Sequence, residues 1–135
     1  MGSVAYIGQQ NCNLAVGKFT STTLELEFIR HKAYNHVKLT GELDAASARE
    51  LDEYLLAATT KENNSLLFDL EHVSYISSAG IGLLIFYSGE LVKSDLKVVI
   101  CRPTEAVLEI LTLLSLEKYI KIFSTADEAI EHINQ

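Results

Sequence analysis

The chain has 135 residues, 48% of them hydrophobic, which is the size of one compact domain with enough apolar material for a core. Its 18 acidic residues against 11 basic ones give a formal net charge of -7. That balance excludes the electrostatic footprint of direct nucleic-acid binding or of attachment to an anionic membrane, and favours a basic partner surface. The longest apolar run, 81–87, falls well below the roughly 18 residues that a membrane span requires, so no membrane insertion is expected. Cys12 and Cys101 match no metal-ligand spacing and come without a signal peptide; reduced thiols and a cytoplasmic location follow as expectations.

In chain order, residues 1–21 show isolated apolar positions (Tyr6, Ile7, Leu14, Val16, Phe19) without a sustained period. Residues 1–23 therefore read as an N-terminal arm or one extra edge strand, and 24–135 as the domain proper. Leu24, Leu26 and Phe28 alternate with Glu25 and Glu27, which predicts a half-buried strand; Val37 and Leu39 lie on a second strand that pairs with it as a hairpin. A helix follows, because Ala48, Leu51 and Leu55 fall on one face. Ser47-Ala48-Arg49-Glu50 fits a capping box at its start, and Asp44 is a competing N-cap. Asn63 and Asn64 mark a turn before a strand at 66–70, which is apolar on both faces apart from Asp69 and so belongs in the centre of a sheet. A short polar loop through Glu71 and His72 is expected next, then a helix from Ser78 to about Lys93.

Residues 97–101 read as another buried strand, and Pro103 suits the first turn of a helix with Val107, Ile110, Leu111 and Leu114 on its apolar face. The crossover helix between these two strands implies parallel pairing. Ile120, Ile122 and Phe123 suggest a short strand, and Thr125-Ala126-Asp127-Glu128 opens a terminal helix that buries Ile130 and Ile133. The order β-β-α-β-α-β-α-β-α predicts a small α/β single domain, a mixed β-sheet packed with about four α-helices.

Two segments carry a resemblance. The stretch from Leu67-Phe68-Asp69 through Ser77-Ser78-Ala79-Gly80-Ile81-Gly82-Leu83-Leu84 resembles the signature of STAS domains, the family of bacterial anti-sigma factor antagonists. Upstream, Val37-Lys38-Leu39-Thr40-Gly41-Glu42-Leu43-Asp44 is similar to the family's Leu-x-Gly-x-Leu-Asp strand end, and the resemblance extends over 24–133. A further match, from Leu114 to Phe123, is similar to the family's final helix-to-strand link, except that Ser115 stands where the family usually has Gly.

The resemblance implies a binding protein rather than an enzyme. Unphosphorylated, it would bind an anti-sigma factor serine kinase and release the sigma factor; phosphorylated at Ser78, it would let go, and a PP2C-like serine phosphatase would reset it. Ser77, adjacent and itself a hydroxyl, is the alternative acceptor, and stands where many family members have Asp. Asp44, Ser77, Ala79, Gly80 and Ile81 are the partner-binding positions that the resemblance implies. A monomer or weak dimer fits this role. The alternative is a constitutive STAS scaffold or subunit of a stressosome-like or lipid-transport assembly, which the arm before Leu24 keeps open.

Read from the residues alone, Ser77 and Ser78 are candidates for a helix cap and a loop filler, and Asp44 for a cap. A helix N-terminus also suits a phosphate, through unpaired backbone N–H groups and the positive end of the helix dipole. Gly80-Ile81-Gly82 is no nucleotide fingerprint, since the third glycine would fall at Ile85 and no Lys-Ser or Lys-Thr follows. Ser78 lacks the Gly-x-Ser-x-Gly elbow of a hydrolase nucleophile. His31, His36, His72 and His132 are scattered and read as solvated, so neither a metal nor another cofactor is expected. Asp69 reads as a structural hydrogen bond to the loop after its strand.

Overall fold

The computed structural model describes residues 3–8, 15–61 and 63–135; Cys12 falls outside them. Seven strands form one sheet in sequential order: β1 (Ser3–Gly8), β2 (Ala15–Thr20), β3 (Leu24–Arg30), β4 (Tyr34–Leu43), β5 (Ser65–Ile76), β6 (Val98–Cys101) and β7 (Lys121–Phe123). The first four are antiparallel neighbours; β4 through β7 pair in parallel, each joined to the next by a crossover that carries a helix. Those helices are α1 (Ala45–Lys61), α2 (Ser78–Val92) and α3 (Glu105–Leu113), and α4 (Ala126–Ile133) ends the chain. This is the α/β single domain expected, with four helices on a mixed sheet. Residues 1–23, read as an arm or one extra edge strand, hold two strands that continue the sheet beyond β3.

Side-chain alternation divides the sheet into two unequal faces. Leu24, Leu26, Phe28, Val37, Leu39, Leu66, Phe68, Leu70, Val98 and Ile100 point to one side, where α1, α2 and α3 cover them with Leu51, Leu55, Leu84, Val107 and Leu111. The other side carries a smaller cluster, Tyr34, Leu67, Val99 and Cys101, closed by Ala129 and Ile133 of α4, with Ala126, Ile130 and Phe123 partly buried against it. The strands beyond α4's reach leave this second face open and charged. Lys18, Glu27, Lys38 and Asp69 are successive register partners across β2 to β5.

Two local expectations are corrected. Glu71 and His72 are not a loop, because β5 continues through them to Ile76, pairing with β4 across two register shifts near Thr40 and Gly41. The two exposed pairs Glu71-His72 and Ser74-Tyr75, separated by buried Val73, hide the period of two that signals a strand. The first helix begins at Ala45, so Asp44 is its cap and Ser47 lies inside its first turn. Asp44 wins because its carboxylate and the Ser47 hydroxyl bond reciprocally to each other's backbone N–H, both at 2.9 Å. Among the described residues, no helix is long and apolar enough to cross a membrane.

Candidate functional site

The carboxyl ends of β4 and β5 lie side by side, since Leu43 pairs with Ile76 and the Ser77 N–H donates to the Leu43 carbonyl at 2.9 Å. This one bond brings Asp44, the first residue after β4, next to the Ser77-Ser78 turn after β5. Gly41 and Gly80 permit the approach. Gly41 has φ +115°, and a Cβ there would fall 2.2 Å from the Thr23 carbonyl oxygen. A Cβ on Gly80 would fall 2.8 Å from the Leu43 side chain, so α2 packs against the end of β4 only because that position is bare.

The two serines are chemically unequal. Ser77 is the N-cap of α2, with extended backbone and its Oγ accepting from the Gly80 N–H at 3.2 Å. Ser78 is the first helical residue; it is exposed, and its hydroxyl has no hydrogen-bond partner among the described residues. Ala79 is exposed beside it, whereas Gly80 and Ile81 are buried. Of the expected partner-binding positions, Asp44, Ser77 and Ala79 are thus reachable by their side chains, and Ile81 packs into the core. Hydrogen bonds from the Ser47 backbone and side chain hold the Asp44 carboxyl below its ordinary range, with smaller help from Thr23 and the Ala46 N–H.

Beside this turn, α1 and α2 leave a cavity of about 330 Å³ lined by Ala45, Ala48, Arg49, Asp52, Ala79, Leu83 and Phe86. Alanines keep the helices close enough to share one groove, and Phe86 stands at its edge, 54% exposed. The groove is mostly apolar, with Arg49 and Asp52 its only charges. Ala79 places it one residue from the Ser78 hydroxyl. A partner seated there would lie against any group attached to that oxygen.

A second constellation sits on the α4 side of the sheet. Asp69 is buried in β5 and accepts from His36 Nε2 at 3.0 Å, from the Glu71 N–H at 3.2 Å and from the Arg102 guanidinium. Burial alone would raise its carboxyl, but the bonds from His36, Arg102 and Glu71 and the guanidinium charge outweigh that and hold it well below the usual carboxylate range. Cys101, its register partner on β6, is fully buried; burial and then the Asp69 charge push its thiol up to about 12.

This places two residues differently from their sequence reading. His36, expected to be solvated, is buried because the alternation of β4 turns it toward the face that α4 closes. Asp69 bonds the main chain at Glu71, as expected of a structural carboxylate, but also His36 and Arg102, which were not anticipated. The available signal was the aspartate itself: a carboxylate in an otherwise apolar central strand needs buried partners. His31 stacks on Tyr34, His72 is exposed and His132 is half-buried.

Known proteins with this arrangement are informative. An anti-sigma-B factor antagonist of Staphylococcus epidermidis is 31% identical over 84 residues, 62% of this chain and 78% of that protein. The corresponding antagonist of Staphylococcus aureus strain COL is 34% identical over 62 residues, 46% of this chain and 57% of that one. Among solved structures, an anti-sigma factor antagonist from Mycobacterium paratuberculosis superimposes with a TM-score of 0.76 at 21% identity, covering 86% of this chain and 98% of that one. The antagonist SpoIIAA in its unphosphorylated form gives 0.70 at 19% identity over 81% and 96% of the two chains. These structures share the fold. The sequence profile of the STAS domain matches residues 29–129, from within β3 to within α4, and with the motifs at Gly41 to Asp44 and Ser77 to Gly82 lying where that fold brings them together, the chain belongs to the STAS domain family.

Proposed function

We propose that this protein is an anti-sigma factor antagonist switched by phosphorylation at Ser78. In its unphosphorylated form it binds an anti-sigma factor serine kinase through the turn at Asp44 and 77–79 and the groove between α1 and α2, releasing the sigma factor. The observation that carries the reading is the division of labour between the serines: Ser77 is committed to the cap, and Ser78 offers a free, exposed hydroxyl at the start of α2.

The physics of the site suits a reversible switch. A phosphoryl group adds a charge of roughly -1.5 to -2, which the N-terminal end of a helix tolerates, so the domain stays folded. Against an apolar partner surface or the phosphates of a bound nucleotide, the same charge is desolvated and repelled. A loss of about 3 kcal/mol of complex stability weakens binding on the order of a hundredfold, enough for exchange. The protein itself carries out no chemistry in this scheme; the kinase supplies the phosphoryl group, and a PP2C-like phosphatase in the same cytoplasm removes it.

The test is peptide mass spectrometry of the protein isolated from its own cells, before and after treatment with a serine phosphatase. A single removable phosphate on Ser78, absent from Ser78→Ala, is the expected result. No phosphate under any growth condition, with a partner bound equally well by the wild type and by Ser78→Asp, overturns the reading. One observation favours a second reading as a constitutive scaffold: β1 and β2 extend the sheet beyond the residues that match the family profile.

A further inference from the structure

The cluster at the α4 end of the sheet has chemistry that the antagonist reading does not use. His36, Asp69 and Cys101 come from three adjacent parallel strands, β4, β5 and β6, and all three are buried. The imidazole Nε2, a carboxylate oxygen and the thiol sulfur lie within 4.8 Å of one another. The sequence holds these residues far apart, with none of the short spacings that mark metal motifs; the sheet register joins them, pairing Asp69 with Cys101 and setting His36 two residues before Asp69's neighbour Lys38.

From this geometry we propose that His36, Asp69 and Cys101 form a three-ligand site for a borderline-soft divalent cation of the Zn²⁺ class. The donor set decides the class: imidazole and thiolate favour Zn²⁺ over Mg²⁺ or Ca²⁺, which prefer oxygen cages. Bonds of about 2.0–2.1 Å to nitrogen and oxygen at a tetrahedral angle place those ligand atoms about 3.3 Å apart. Nε2 of His36 and Oδ2 of Asp69 already stand at 3.0 Å. A fourth position opens outward, because Asp69 also lines a groove of about 360 Å³ on the open face of the sheet, shared with Lys38, Glu71 and Arg102. Solvent supplies the water for that position.

Arg102 is the resident cation that the metal replaces. Its guanidinium bonds Asp69, yet its Nε is buried with no hydrogen-bond partner, and the residue holds a left-handed backbone at φ +52°. The side chain is one-third exposed and has a second carboxylate in reach, with Nη1 3.5 Å from Glu71 Oε1. On binding, the guanidinium turns to Glu71, the His36 proton moves from Nε2 to Nδ1 so that Nε2 and the Asp69 carboxylate donate to the cation, and Cys101 releases its proton to solvent as its sulfur becomes a thiolate ligand. One dication enters and one proton leaves, so the protein gains one positive charge.

The test is a Co²⁺ titration of the full chain carrying Cys12→Ser, which leaves Cys101 as the only thiol. The expected result is one equivalent bound, tetrahedral visible bands with a thiolate-to-cobalt charge-transfer band, and displacement of both by Zn²⁺. Adding Cys101→Ser removes the charge-transfer band. Adding Arg102→Gln, which deletes the competing cation, tightens binding on the order of tenfold; a purely structural ion pair gives no such gain. Circular dichroism checks that each variant is folded, and should Cys101→Ser not fold, the Arg102→Gln comparison still decides. Absence of the charge-transfer band in both the Cys12→Ser protein and its Arg102→Gln derivative overturns the proposal, and so does its persistence in Cys101→Ser.

Discussion

At the scale of single residues, neighbouring serines separate structure from signalling. Removing the Ser77 hydroxyl orphans the Gly80 N–H at the start of α2, and loss of an N-cap costs about 1 kcal/mol. Ser78→Ala removes a hydroxyl without a partner among the described residues, so its stability should stay within about 0.5 kcal/mol of wild type. Urea unfolding of the two variants measures this directly; equal losses would mean that the cap is shared in solution. Ser115 poses the complementary case. It adopts φ +54° and ψ +39° between α3 and the short 3₁₀ turn at Leu116–Lys118, a left-handed conformation that costs a side chain with a Cβ roughly 1–2 kcal/mol. Ser115→Gly removes that strain but adds backbone entropy to the unfolded chain, so a net gain of about 0.5–1 kcal/mol is expected in the same assay. An unchanged or lower midpoint would show that the serine makes up for its backbone.

Among the elements, α1 illustrates both what periodicity reveals and where it stops. The apolar face of Ala48, Leu51 and Leu55 was legible and is buried, but two capping signals competed at its start, and only the reciprocal Asp44–Ser47 bonds separate them. Helices and parallel strands were readable because their patterns are local. The far half of β5 was not, since register shifts against β4 break its alternation, and of β1 and β2 only one edge strand was offered, because β1 is held by pairing with β2 and β2 by pairing with β3. His36 was read as solvated and Arg102 was not singled out, because register brings them to Asp69 and no short spacing records it. The Asp44 cap makes a pH prediction. A carboxyl whose folded-state pKa lies below its unfolded value adds stability that is present in full above the unfolded value, near 3.9, and is lost as pH falls below it. Asn caps comparably without ionising. The urea midpoint of wild type relative to Asp44→Asn should therefore be constant above about pH 5 and fall on acidification below about pH 4. A flat difference down to pH 2 would show that the Ser47 bonds do not depress the Asp44 carboxyl.

At the scale of the whole molecule, the question is what the first two strands contribute. The family match begins within β3, so β1 and β2 lie before the matched residues, at one edge of the sheet. They are not inert there. Phe19 of β2 is 4% exposed and packs on Tyr54 of α1, with ring centroids 6.1 Å apart, in the same cluster as Phe28. Deleting 1–20 takes Phe19 out of the core, uncovers part of the Tyr54 ring and turns β3 into an unprotected edge. The loss should be comparable to truncating a buried Phe, about 3–5 kcal/mol, while the parallel half that carries Ser78 remains intact. The truncated chain is therefore expected to unfold at a lower urea concentration, yet to accept phosphate on Ser78 as the full chain does, and light scattering should show the full chain as a monomer or weak dimer. A large assembly that dissociates when 1–20 are removed would instead make β1 and β2 an assembly surface, and the scaffold reading would then take precedence over the switch.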